Sequence, residues 1–157
     1  MHEDVATSGL EVLDYETCLT LLSSAEIGRV AWSQMEDGVA KVSIRPVNFV
    51  VHLGDVLFCT DTGEKLNAVV AGRRISFEVD DIEPAMRVGW SVVATGHPVE
   101  VTDPDERSSL KDLVAPWDRS PKVHLVRLCI SSLTGRRIGM HPATVRTFRI
   151  GYDAALD

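Results

Sequence analysis

Apolar and polar positions alternate with period two along most of this chain and switch to a helical period in three short places. The cleanest alternation runs from Arg74 to Asp81, where Ile75, Phe77 and Val79 face one way and Ser76, Glu78 and Asp80 the other. Gly28 marks the start of a strand carrying Val30, Ala31 and Trp32, and Glu36-Asp37-Gly38 is a hairpin signal. A long return strand runs from Val39 towards His52. Pro46 lies within it and cannot donate to a ladder, which predicts an edge or a bulge. Leu53-Gly54-Asp55 then turns into a third strand through Val56 and Phe58. Further strands are predicted over Gly89 to Val101, broken by Gly96 and Pro98, and over Lys122 to Ile130. A seventh follows over Leu133 to Ile138, after a Ser131-Ser132 turn.

Three capped amphipathic stretches predict short helices near residues 15–25, 64–71 and 104–114. Asp14 is placed as an N-cap for the first, with Cys18, Leu21, Leu22 and Ala25 forming one stripe. Leu66, Val69 and Val70 have helical spacing in the second, which Gly72 terminates. Asp103-Pro104-Asp105-Glu106 opens the third with cap, proline and acid in order, and Leu110, Leu113 and Val114 form its buried stripe. Strands dominate and their connections are of hairpin length. The expected fold class is therefore mainly β, an antiparallel sheet closed or partly closed as a barrel, with short helices around it.

Composition narrows the function more than the fold. A chain of 157 residues is long enough for one domain with a real core, and 45% apolar with 25% charged residues is ordinary globular chemistry. The net charge of −7 argues against a general nucleic-acid binder. Cys18, Cys59 and Cys129 are widely spaced with no CxxC pair, which reads as reduced thiols in a cytoplasmic protein. The acidic N-terminus has no apolar signal region, residues 1–9 are polar and read as loose, and no apolar run approaches a membrane span. His52, His97, His124 and His141 lack metal-ligand spacing, so no metal is expected. Neither a G-x-S-x-G elbow nor a G-x-G-x-x-G turn is present, which leaves serine hydrolysis and a Rossmann dinucleotide site without support.

The segment FCTDTGEKLNAVVAG changes from strand to helix across the polar turn TDTGEK. Thr60 and Thr62 offer hydroxyls, Gly63 permits close backbone approach, and Lys65 adds a cation where helix N–H groups begin, which suits an anion. Taken alone, a polar loop with a solvated lysine is the plainer reading. In RPVNFVV, Asn48 could pair with a flat heterocycle or be an edge-strand amide. In GWSVVATG, Trp90 and Ser91 could meet a ring system or belong to the core.

The order of these segments is more specific than any one of them. PVNF, then FCTDTGEKL, then ISFEVDDI, then GWSVVATGHPVEVTD resembles the pyridoxamine 5'-phosphate oxidase-like flavin-binding split-barrel family, over about Leu13 to Gly139. The likeness is to its small actinobacterial-type members. The resemblance implies an antiparallel split barrel of the FMN-binding type, dimerised around FMN. Residues 13–140 would form that domain, after a flexible segment over 1–12. A tail over 141–157 would pack on the barrel or on the partner subunit. Thr60, Gly63 and Lys65 would hold the FMN phosphate, with Thr62 and Leu66 also among the cofactor-binding residues. Pro46, Val47, Asn48 and Phe49 would run along the ring, with Trp90, Ser91 and Trp117 near it. The stretch SLTGRRIGMHPATVRTF lacks the arginine-and-histidine signature by which true oxidases grip vitamin B6, although Arg137 and His141 lie there. The resemblance thus implies a flavin-dependent oxidoreductase acting on a small organic substrate, with unassigned catalytic residues. A non-enzymatic flavin-binding, sensing or storage module remains the alternative, as does a deazaflavin- or haem-binding relative.

Overall fold

The computed structural model describes residues 9–114 and 124–139. They form one antiparallel sheet of seven strands that closes on itself. In chain order the elements are β1 (Leu10–Leu13), α1 (Tyr15–Ser23), β2 (Ile27–Glu36), β3 (Val39–His52), β4 (Asp55–Thr60), α2 (Glu64–Val70), β5 (Ile75–Glu83), β6 (Val88–Glu100), α3 (Pro104–Leu110) and β7 (His124–Ile138), with a 3-10 turn at Lys111–Leu113 after α3. The order β7-β4-β3-β2-β5-β6 returns to β7 and makes a six-stranded barrel, while β1 adds to the far end of β7.

Local chemistry explains most element boundaries. Asp14 caps α1 by accepting a hydrogen bond from Thr17 N at 2.8 Å, and that bond holds the Asp14 carboxyl below its usual range. Asp103 caps α3 in the same way through Glu106 N. The β2–β3 and β3–β4 hairpins turn at Asp37-Gly38 and Leu53-Gly54, all four with positive φ, as two-residue hairpins require. Pro46 pairs with Arg29 of β2, and β4 joins β3 only from Phe49 onward. The proline therefore sits where one side of its strand carries no ladder, as its missing N–H demands.

Two features differ from expectation. Residues 10–12, read as part of a loose segment, belong to β1 and pair with the end of β7. Only Leu13 of that strand is buried, so no alternation marks it. The predicted sixth and seventh strands are one strand, β7. Thr95 pairs with Ser132 and Gly96 with Ile130, so Ser131 is an extra residue, a β-bulge and not a turn. Its hydroxyl donates to Thr95 O and accepts from Arg74. Gly96 is needed beside it: a Cβ there would lie 1.9 Å from Cys129 O.

The barrel interior is filled by Val30, Trp32, Phe49, Phe58, Phe77, Val79, Val92 and their neighbours, with Phe49 and Phe77 edge to face at 4.7 Å between ring centroids. A second cluster lies outside it. There Leu57 and Leu125 meet Val101, Leu110 and Val114, so α3 covers the outer face of β4. α1 buries Cys18 and Leu22 in the main core, with Cys18 packed where Gly135 of β7 carries no side chain. Burial pushes the Cys18 thiol up, and the Asp14 carboxylate adds to the shift. All three cysteines are free. Among the described residues no helix is long and apolar enough to cross a membrane, and no cluster could hold a metal ion.

Candidate functional site

The TDTGEK turn forms one wall of a cleft of about 270 Å³. Thr60, the last residue of β4, is fully buried and donates its hydroxyl to Asp61 O at 3.2 Å. Gly63 precedes α2 with φ 154°, and nothing lies within 4 Å of where its Cβ would be. The helix has seven residues and no side-chain cap. It is too short for its dipole to dominate, so side-chain charge sets the character of the cleft. Lys65 lines it from α2, and Arg45 from β3.

Arg45 was not among the expected residues. It lies one residue before PVNF, and the inward positions of β3 run through Ser43, Val47 and Phe49, all buried. An arginine in phase with them was the readable signal, because an ionised group on an apolar face needs a reason. In the barrel it stands opposite Val30 and donates to Ile44 O at 2.9 Å. Trp32, also unanticipated, lines the same cleft from β2. It is 3% exposed, and its buried indole N–H has no hydrogen-bond partner among the described residues. Two carboxylates share the rim, Asp61 and Glu64. Glu64 lies 3.9 Å from Lys41, which is also paired with Glu36 at 3.1 Å. The Glu36 hydrogen bond, then the Glu36 and Glu64 charges, raise the Lys41 pKa.

The other expected residues are distributed differently. Val47 and Phe49 are buried in the barrel core, and Leu66 is buried as well. Pro46 and Asn48 alternate with them, exposed and half-buried. None of these five lines the cleft. Thr62 turns away to His124, with 3.4 Å between its hydroxyl and Nε2, while His124 Nδ1 meets Glu100 at 2.5 Å. Trp90 and Ser91 line a different cleft, of about 190 Å³, shared with Arg136 and Arg87. Arg137 stands opposite Trp90 and lies 3.7 Å from Glu11. Trp117, His141 and the tail over 141–157 fall outside the described residues.

Comparison with known proteins places this arrangement. A family model described as pyridoxamine 5'-phosphate oxidase matches residues 14–137. An uncharacterised protein of Mycobacterium tuberculosis is 35% identical over 131 residues, which are 80% of this chain and 84% of that protein. The structure of the FAD binding protein from Mycobacterium smegmatis is 30% identical with a TM-score of 0.65, covering 81% of this chain and 97% of its own. A conserved protein of unknown function from Corynebacterium diphtheriae is 31% identical with a TM-score of 0.66, covering 83% and 99%. The neighbours share the split-barrel fold.

Proposed function

The chain belongs to the pyridoxamine 5'-phosphate oxidase family, and from that premise we propose that it binds FMN and serves as a flavin-dependent oxidoreductase on a small organic substrate. The observation that carries the cofactor assignment is the convergence of Arg45 and Lys65 on one cleft with buried Thr60 and open Gly63. Arg45 and Lys65 suit a phosphate and its attached chain, because charge-assisted bonds to phosphate are the strong ones, while Asp61 and Glu64 on the same rim offset part of their charge. Arg45 would take phosphate oxygens, Lys65 would add a point charge, and the Gly63 backbone would admit close approach. A bound flavin supplies two-electron transfer chemistry, and the protein's part is to hold it and exclude competing reactions.

Volume supports a second chain in the complete site. Cofactor pockets usually enclose about 300–1,000 Å³, and the cleft of about 270 Å³ falls below that range. It suits the phosphate end and leaves the ring to lie outside. In a homodimer the partner would cover the ring, bringing Trp90 and Ser91, which line a separate cleft within one chain. Specific support for a second reading comes from the Mycobacterium smegmatis relative, which is described as an FAD binding protein. In that reading the added nucleotide follows the same phosphate site.

The test is a titration of wild type and Lys65→Ala with FMN, FAD and riboflavin. Loss of a charge-assisted contact costs about 1.5–3 kcal/mol, or about ten- to a hundredfold in affinity. FMN binding is expected to weaken by that factor while riboflavin binding holds. Equal loss for both would assign Lys65 to the fold instead, and no change for either would remove the turn from the site. FAD binding tighter than FMN binding would select the second reading.

A further inference from the structure

The TDTGEK turn is held from outside its own cleft. Both α1 and α3 start at a side-chain cap, Asp14 and Asp103, but α2 has none, although its start carries Gly63 and Lys65 into the cleft. Gly63 has φ 154°, a conformation that side-chain-bearing residues rarely adopt. Glycine also has the most backbone freedom to lose when a ligand fixes it. Contacts other than a cap must therefore define the turn. Upstream, buried Thr60 closes onto Asp61 O, and downstream Asn67 N donates to Gly63 O at 3.0 Å. Immediately before the glycine, the Thr62 hydroxyl lies 3.4 Å from His124 Nε2.

Strand register places that imidazole. His124 stands opposite Thr60 in the β4–β7 ladder, so its ring lies beside the point where β4 runs out into the turn. Glu100 of β6 stands opposite Val126, diagonal to His124, and its carboxylate meets Nδ1 at 2.5 Å. The two side chains are only 26% and 29% exposed, which shelters the pair from water. An ionised carboxylate only accepts, so Nδ1 carries the proton, and in the neutral ring Nε2 is left to accept from the Thr62 hydroxyl. Glu100 thus fixes the ring, and the ring fixes Thr62. Neither Thr62 nor His124 lines the cleft, so this chain of contacts reaches a ligand only through the backbone it holds. We propose that Glu100 and His124 are positioning residues that hold Thr62 and preset the Gly63–Lys65 segment for a phosphate group, a role that rests on the phosphate reading of the cleft. A turn ordered in advance binds more tightly because less freedom is lost on binding.

The test titrates FMN and riboflavin into flavin-free, full-length wild type, Thr62→Val, Thr62→Ser, His124→Phe and the Thr62→Val/His124→Phe double variant. Lys65→Ala runs alongside, and circular dichroism confirms that each variant folds. Thr62→Val is expected to weaken FMN binding about three- to tenfold and to leave riboflavin binding unchanged. Thr62→Ser, which keeps the hydroxyl, is expected to restore wild-type affinity. His124→Phe is expected to match Thr62→Val, and the double variant to bind no more weakly than either, because both substitutions break one chain of contacts. Equal loss of FMN and riboflavin would make these residues props of the fold and overturn the proposal. Additive losses in the double variant would overturn it too. Unchanged FMN binding in Thr62→Val beside a loss in Lys65→Ala would remove this role and leave the phosphate reading standing. Unchanged FMN binding in both would remove the phosphate reading and this role with it.

Discussion

Gly96→Ala should damage this protein more than alanine at the other described glycines, because its Cβ would meet backbone at the shortest distance. The new Cβ would meet Cys129 O at 1.9 Å and Cys129 C at 2.8 Å, both backbone atoms of the neighbouring strand. No rotamer change can relieve that contact, so β6 and β7 must separate by about 1 Å beside the Ser131 bulge. Overpacking typically costs 1–3 kcal/mol. A rigid backbone obstacle belongs at the top of that range, and one or two ladder hydrogen bonds at about 1 kcal/mol each are lost with it. The φ of Gly96 is not in the left-handed region, so alanine's smaller unfolded-state entropy returns roughly 0.4–1 kcal/mol. The net expectation is about 3–4 kcal/mol of destabilisation. For a chain of this size that corresponds to a fall of about 6–16 °C in Tm. Urea denaturation at 25 °C with calorimetry as a check measures it. Gly54→Ala serves as the control, because its φ is +82° with open space around it, and the left-handed strain alone costs about 1–2 kcal/mol. A Gly96→Ala protein within 1 kcal/mol of wild type would refute the reasoning and show that β7 slides freely at its bulge.

Two further expectations concern charge and the indole. Arg29 binds Glu78 at 3.0 Å and Asp80 at 3.4 Å, yet Glu78 keeps a raised pKa because burial, and then the Asp80 charge, outweigh the arginine. A raised carboxyl pKa means that the folded state binds protons more readily, so this group's contribution to stability grows as pH falls through the folded value and is lost above it. Arg29→Met should therefore cost about 1 kcal/mol or less at pH 7 and less still near pH 4.5, measured as a Tm difference at the two pH values. A larger loss at the acid pH would reverse the assignment. Trp32→Phe removes a buried donor with no partner among the described residues. Relief of that donor, about 1–3 kcal/mol, offsets lost packing, so the flavin-free Tm should change little. The Tm gain on adding FMN should shrink if the indole N–H meets the cofactor, and an undiminished gain would take Trp32 out of the site.

The barrel was largely legible in the sequence because a half-buried strand repeats every two residues. Ile75, Phe77 and Val79 declared both their strand and its inward face, and all three are buried. Capping residues did the same for the helices: Asp14 and Asp103 act through a side-chain bond to a specific N–H, which is local chemistry. The TDTGEK turn was legible for the same reason, since strand, turn and helix signals follow one another within a few residues. What tertiary structure decided were matters of register and neighbourhood. Leu10 to Leu13 become a strand only because β7 offers them an edge. Ser131 reads as a turn residue until Gly96 on another strand shows it to be a bulge. Leu57 points away from the barrel yet is fully buried, because α3 comes back to cover it. The candidate cleft followed the same division. Lys65 announced itself beside a glycine, whereas Arg45 and Trp32 reach that cleft through cross-strand pairing between β2 and β3, which no short stretch of sequence contains. Pattern along the chain reports which face of an element is apolar, but only the pairing of strands brings residues distant in sequence into one cleft.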